Sequence, residues 1–495
     1  MRQIRIIDVT LRDAHQCLWS TRMTTAMMLP IAPRMDEIGF EAIDLIGGAV
    51  FDVMVRYLRE DPFERMRIMS SIIRRTPLIV HSRGSSLFTF DFFPDDVIEL
   101  TMQRIAANGI RYKTLYDALN DIRNLEVPVR AAKAAGLYVA GGLAYTLSPV
   151  HTDEYYEQKA RELVRLGVDA VWIKDASGLL TPERVRTLIP AVRRAIGGLP
   201  LQLHTHCMTG LAPLCHLEAI RLGVDVLHTA ISPLANGPSH PATEWVVKNA
   251  RRMGCQVDLD DQGLKEMADY FRYVALREGK PLGQVAEYDP FHYEHQMPGG
   301  MVSNLRYQLS TLGLEHRLQE ILEEAARVRR ELGYPVIVSP FAQYVMTQAV
   351  LNVMQGERYK TVPEEIRKYA LGYYGQLAAP IDPDVLDRIT GGEEPIKERP
   401  GALLPPMLPK VRRERGPFAS DDDLLLCCFY SREETDALFA ARPIKTEYPA
   451  SPSPLVTLVK ELIVRSGLHR VRLECPDLNL EITFANACLG SAASR

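Results

Sequence analysis

Ala170-Val171-Trp172-Ile173-Lys174-Asp175 is an apolar run closed by two charges; a helical pattern from Pro182 to Ile196 follows, then Leu201-Gln202-Leu203-His204-Thr205-His206. A short buried strand, an amphipathic helix and another short strand make one β-α-β unit of a parallel sheet. Working outward, the unit recurs until eight strands are counted. They are predicted at Ile4 to Val9, Ala42 to Ile46, Pro77 to Ser82, Arg111 to Tyr116, Tyr138 to Ala144, Ala170 to Ile173, Leu201 to His204 and Val226 to Ile231. Helical patterns such as Pro62 to Arg74, Asp95 to Asn108 and Asp153 to Leu166 lie between them. Helix starts carry proline or acid in the first turn, as in Phe93-Pro94-Asp95-Asp96 and Leu180-Thr181-Pro182-Glu183. The expected fold class is α/β: a (β/α)8 TIM barrel over residues 1–290, with its chemistry at the C-terminal strand ends.

Beyond the barrel the alternation stops. A mainly helical domain is expected over 291–395, with patterns at Leu314 to Leu332, Phe341 to Met354 and Pro363 to Tyr373. A linker with a helical extension is expected over 396–450, since Glu393 to Pro417 is rich in Pro, Lys, Arg and Glu. A small α+β tail, 451–495, would hold a helix at Leu455 to Ser466 and two strands within His469 to Phe484. It is too small for a large core of its own and reads as a docking segment.

A chain of 495 residues is too long for one ordinary core, and 46% apolar residues suit a globular protein. The net charge of −4 gives no general attraction to nucleic acid or anionic membrane. Eight cysteines without CxxC spacing, no secretory pattern and no membrane-length apolar run suggest a reduced, cytoplasmic protein.

Strand ends carry Asp13, Arg83, Lys174, His204 and His206 toward one mouth. A divalent transition metal accepts imidazole nitrogen and carboxylate oxygen, and His204 and His206, two apart on a strand, share a face. Taken alone, such a pair is more often two hydrogen-bonded histidines at a strand end. Lys174 is the odd member, because an ammonium repels a cation. Carbamylation by CO2 would turn it into an anionic ligand, which suits a site that handles CO2. Arg83, followed by Gly84, could grip a small carboxylate with two prongs.

Asp8-Val9-Thr10-Leu11-Arg12-Asp13-Ala14-His15-Gln16, Gly47-Gly48-Ala49-Val50-Phe51-Asp52, Glu60-Asp61-Pro62-Phe63-Glu64-Arg65, Ile173-Lys174-Asp175 and His204-Thr205-His206 together resemble the biotin-dependent carboxyltransferases. This family includes the carboxyltransferase portion of pyruvate carboxylase, the oxaloacetate decarboxylase α subunit and the transcarboxylase metal subunit. The likeness runs to about residue 440, through Glu294-His295-Gln296-Met297-Pro298-Gly299-Gly300 and Ala379-Pro380-Ile381-Asp382-Pro383. It implies that Asp13, carboxylated Lys174, His204 and His206 bind a divalent metal (Zn, Mn or Co), and that Gln16, Arg83 and Arg12 hold pyruvate or oxaloacetate. Ser339, where the family usually has threonine, would relay a proton between the substrate methyl and biotin, with Lys174 and Arg83 also in the catalytic set.

No Met-Lys or Lys-Met pair occurs in the sequence, so biotin is expected in trans on a carrier protein, beside a biotin carboxylase or membrane decarboxylase subunit. A homodimer is the family-based expectation. Phe90 and Thr114 stand where the family usually has tyrosine and arginine, which bears on the acyl acceptor. Gln343 replaces the lysine of the single-chain pyruvate carboxylases and suits the decarboxylase branch. Two alternatives are a metal-dependent acyl-CoA lyase or synthase of the same barrel superfamily, against which Lys174 argues, and a non-catalytic assembly subunit.

Overall fold

The computed structural model describes residues 2–450, 458, 462, 470–475 and 478–483. Eight parallel strands close a barrel in sequence order: β1 (Arg5–Asp8), β2 (Ala42–Ile46), β3 (Leu78–Arg83), β4 (Tyr112–Tyr116), β5 (Tyr138–Ala144), β6 (Ala170–Asp175), β7 (Leu201–Thr205) and β8 (Val226–Thr229). Ile6 pairs with Leu227, joining β1 to β8 and leaving no sheet edge. Every residue of β2, β3, β4, β6, β7 and β8 is buried, as expected of parallel strands covered by helices.

The helix starts behave as their sequences suggest. Asp61 accepts from the Phe63 amide ahead of Pro62–Ile72, Thr152 from Tyr155 ahead of Asp153–Arg165, and Thr181 from Arg184 ahead of Pro182–Ile196. One expectation is corrected. Asp13 does not close a strand, because β1 ends at Asp8 and a single π-helical turn, Thr10–Ala14, carries Asp13 back over the mouth.

Residues 1–448 form one compact unit. Within it, helices Leu318–Glu331 and Phe341–Gln355 pack together and dock on the segment after β5. There the buried Arg329 donates to Thr146 Oγ1 (3.0 Å) and to the Leu147 carbonyl (2.8 Å), and Gln296 donates to the same carbonyl (2.9 Å). Ser177, after β6, donates to the Ile337 carbonyl (3.0 Å) and so fixes the approach to Ser339. Residues 396–450 carry helices Leu408–Arg415, Asp421–Phe429 and Arg432–Ala441. Arg399 pairs with Asp95 (2.8 Å), and Asp422 accepts from Arg67 (2.7 Å) and Arg104 (2.8 Å).

The second unit, residues 449–495, contains an antiparallel hairpin of Arg470–Cys475 and Leu478–Thr483. The helix expected at Leu455 to Ser466 lies outside the described residues, apart from Leu458 and Leu462. No helix among the described residues is long and apolar enough to cross a membrane.

Candidate active site

The barrel ladder sets the site. Lys174 on β6 lies directly opposite His204 on β7, and Nζ stands 3.5 Å from His204 Nε2. Asp13 Oδ2 is the centre of the cluster, with His204 Nε2 at 3.0 Å, His206 Nε2 at 3.4 Å and His240 Nε2 at 3.1 Å. The other oxygen, Oδ1, takes Arg12 Nη1 at 2.8 Å. Arg12 also binds Asp44 through Nη2 (2.6 Å) and Nε (2.7 Å), so it braces Asp13 while lining the cavity.

The donor set fits a divalent cation. His206 Nδ1 lies 2.7 Å from the Pro238 carbonyl, which can only accept, so its proton sits there and Nε2 turns a lone pair toward Asp13. His204 Nδ1 lies 3.1 Å from His228 Nδ1, and His228 Nε2 lies 3.1 Å from Gln202 Oε1. With the amide oxygen accepting from His228, His204 donates through Nδ1 and its Nε2 also presents a lone pair. Lone pairs facing a carboxylate oxygen at 3.0–3.4 Å call for positive charge among them. With no ion between them, burial disfavours a charged His206 but Asp13 outweighs it and pushes the ring up to about 10, so a second proton takes on Nε2 the place that a cation would fill. Asp13 is likewise held well below the usual carboxylate range, since Arg12 and His206 overcome the burial that would raise it. Asp13, His204, His206 and His240 keep their ligand atoms within 4.8 Å of one another.

Burial lowers Lys174 to about 8 against the opposing pull of Asp13, so a neutral amine is accessible near physiological pH. Neutral amine is the form that adds to CO2. The Lys174 tip also lies 5.4 Å from the Tyr116 ring and 5.3 Å from the Trp172 ring.

A cavity of about 630 Å³ opens above this cluster, lined by Asp13, Gln16, Arg83, Lys174, His206 and Ser339 among others. His204 lies behind the wall, fully buried. The Arg83 guanidinium is fixed by the Phe88 and Thr89 carbonyls, at 2.9 and 2.8 Å from Nη2, and stands 4.9 Å from the Phe90 ring. A Cβ on Gly48 would lie 2.8 Å from both Nη atoms, so any larger residue there would push the guanidinium aside. Phe90 lines the cavity and is 46% exposed, whereas Thr114 is buried and bonded to His81 Nδ1 (2.8 Å). Of the two departures noted in the sequence, only Phe90 faces the cavity.

A family model described as a conserved carboxylase domain matches residues 293–453. A pyruvate carboxylase subunit of Methanocaldococcus jannaschii is 41% identical over 458 residues, covering 91% of this chain and 79% of that one. The chain belongs to the biotin-dependent carboxyltransferase family. The 2-oxoglutarate carboxylase large subunit of Hydrogenobacter thermophilus is similar to this carboxyltransferase at 36% identity, covering 94% of this chain and 72% of the relative. In fold it is similar to the carboxyl transferase domain of Rhizobium etli pyruvate carboxylase solved with pyruvate. That match has a TM-score of 0.83 and 27% identity, covering 89% of this chain and 77% of the other.

The structure brings all the sequence candidates of this carboxyltransferase to one mouth and adds His240, which sequence reasoning missed. The signal was available. His240 follows β8 in Asn236-Gly237-Pro238-Ser239-His240, and the segment after a barrel strand is where site residues are expected. His228 and Gln202, which orient His204, carried no motif.

Proposed function

We propose that this chain moves a carboxyl group between biotin, presented by a separate carrier protein, and a small 2-oxo acid of the pyruvate and oxaloacetate type. The observation that carries the reading is that Arg83, Gln16, Lys174, Asp13, His206 and Ser339 all border one cavity. Arg83, with Nε and Nη2 taken by the Phe88 and Thr89 carbonyls, holds the substrate carboxylate through Nη1, and Gln16 donates to the keto oxygen. Carboxybiotin breaks its N–C bond, releasing CO2 and leaving a basic ureido nitrogen; Ser339 passes its proton to that nitrogen and takes one from the substrate methyl, leaving an enolate that attacks the CO2. In the opposite direction, oxaloacetate loses CO2 and Ser339 returns the proton. A divalent ion bound by Asp13, His204, His206 and carboxylated Lys174 would act as a Lewis acid toward the keto oxygen. The enclosed walls keep water from the enolate and strengthen every charge contact made there.

Zn, Mn and Co all suit this donor chemistry. Supply of biotin in trans agrees with the multi-subunit organisation named for the relatives, with a biotin carboxylase or membrane decarboxylase subunit as the further partner and a homodimer as the assembly. Free cysteines at 17, 207, 215, 255, 427 and 428 suit the cytoplasm.

The test is to supply purified protein with oxaloacetate and free biotin and to follow pyruvate. Release that rises with biotin is expected, and a rate indifferent to biotin would remove the assignment. Gly48→Ala should raise KM for the 2-oxo acid by about 10- to 100-fold with a smaller change in kcat. A displaced Arg83 loses a charged hydrogen bond of about 1.5–3 kcal/mol. Unchanged KM would detach Arg83 from the substrate.

A further inference from the structure

We infer that His240 is a fourth protein ligand, so that the ion is held by Asp13, His204, His206 and His240 whether or not Lys174 is carboxylated. The inference rests on the metal reading above and goes beyond it. His240 is fully buried, its Nε2 lies 3.1 Å from Asp13 Oδ2, and its ring centroid is 4.3 Å from that of His204 and 4.2 Å from that of His206. As a plain hydrogen bond, that contact would have to share the Asp13 oxygen with His204 and His206. The Nδ1 atom of His240 has no hydrogen-bond partner, so the ring is aimed by packing and by its Nε2 alone.

The backbone that delivers His240 is tightly held. Asn236 N donates to the His240 carbonyl (2.7 Å), Ala230 N donates to the Pro241 carbonyl (3.1 Å), and Ala230 bridges Ala242. Three imidazole Nε2 atoms therefore converge on one carboxylate oxygen within 3.4 Å. A single oxygen with two in-plane lone pairs cannot accept from three rings, and the Nε2 atoms of His204 and His206 point lone pairs at it. One ion among the four gives the Asp13 oxygen and all three Nε2 atoms a partner at once. Four nitrogen and oxygen donors make a complete shell for a zinc-like cation.

Lys174 then has a different standing. Its neutral Nζ forms an N–C bond with CO2 and releases one proton, adding a carboxylate to an ion already held. Metal binding should thus be independent of CO2 in the native chain and become dependent on it when His240 is removed.

The experiment strips full-length protein with chelator and titrates it with Co2+ by calorimetry and by the visible d–d absorption, in CO2-free buffer and with bicarbonate. Wild type and Lys174→Ala should each bind about one ion per chain in both buffers. His240→Ala should bind at least about 10-fold more weakly without CO2, with an altered absorption band, and recover on adding bicarbonate. His240→Gln, checked by circular dichroism, guards against a folding defect and should behave alike. Wild-type affinity in folded His240 variants without CO2, or loss of the ion in Lys174→Ala, would overturn the inference while leaving the metal reading standing. A wild type that binds no Co2+ would overturn both.

Discussion

Ser339→Ala should lower kcat for biotin-dependent pyruvate release by about 10²- to 10⁴-fold, with KM for oxaloacetate near its starting value. That range is the usual worth of a positioned proton carrier. The hydroxyl stands exposed on the cavity wall, where the preceding backbone is pinned by Ser177 through the Ile337 carbonyl, so alanine should leave the wall intact. The carboxylate grip of Arg83 is untouched, which is why binding should survive. Ser339→Thr keeps the proton path and adds a methyl that narrows its rotamers, so it should stay within a few-fold of wild type. Steady-state kinetics on the three proteins decide the matter, and an alanine variant as fast as the parent would move the proton transfer elsewhere.

Glu60→Gln should destabilise the fold by about 3–5 kcal/mol, the cost of leaving a buried charge unpaired. Arg65 is fully buried and its ion-pair partner is Glu60 Oε2, 2.7 Å from Nη2. Glu60 also accepts from the Thr25 amide (3.0 Å) and hydroxyl (2.7 Å), tying the β1–β2 connection to helix Pro62–Ile72. The Glu60-Asp61-Pro62-Phe63-Glu64-Arg65 motif is therefore a buried ion pair wrapped round a capped helix start. Urea midpoints on the full chain provide the measurement. Adding Arg65→Met to Glu60→Gln should recover part of the loss, since a pair replaced by apolar groups is far cheaper than a broken one. A single variant within about 1 kcal/mol of wild type would show that Arg65 finds relief some other way.

Short apolar runs between helical patterns were enough to read the barrel; β2 and β5 have the bounds expected from sequence. Asp13 was read at a strand end because a π-helical turn has no signature in apolar spacing; only the backbone reveals that Thr10–Ala14 folds back. The cluster was legible wherever its members closed a strand, as Lys174 and His204 do. His240 was not, since it arrives on an irregular segment whose position depends on bonds to Ala230 and Asn236. Nor could composition between 393 and 417 announce that Arg399 closes on Asp95 or that Leu408 N donates to Asp96 (2.9 Å).

Phe429, from helix Asp421–Phe429, lines the cavity and packs edge-on against Phe51 (5.9 Å), Phe88 (6.1 Å) and Phe93 (5.0 Å). A part of the candidate chamber thus comes from some two hundred residues beyond the last barrel strand. Any attempt to trim the protein to a minimal reactor must keep that distant helix, or the chamber opens to solvent on the side of Arg83, the residue proposed to hold the substrate. Ribosomal synthesis meets the same condition, because the cylinder can close long before its chamber is sealed.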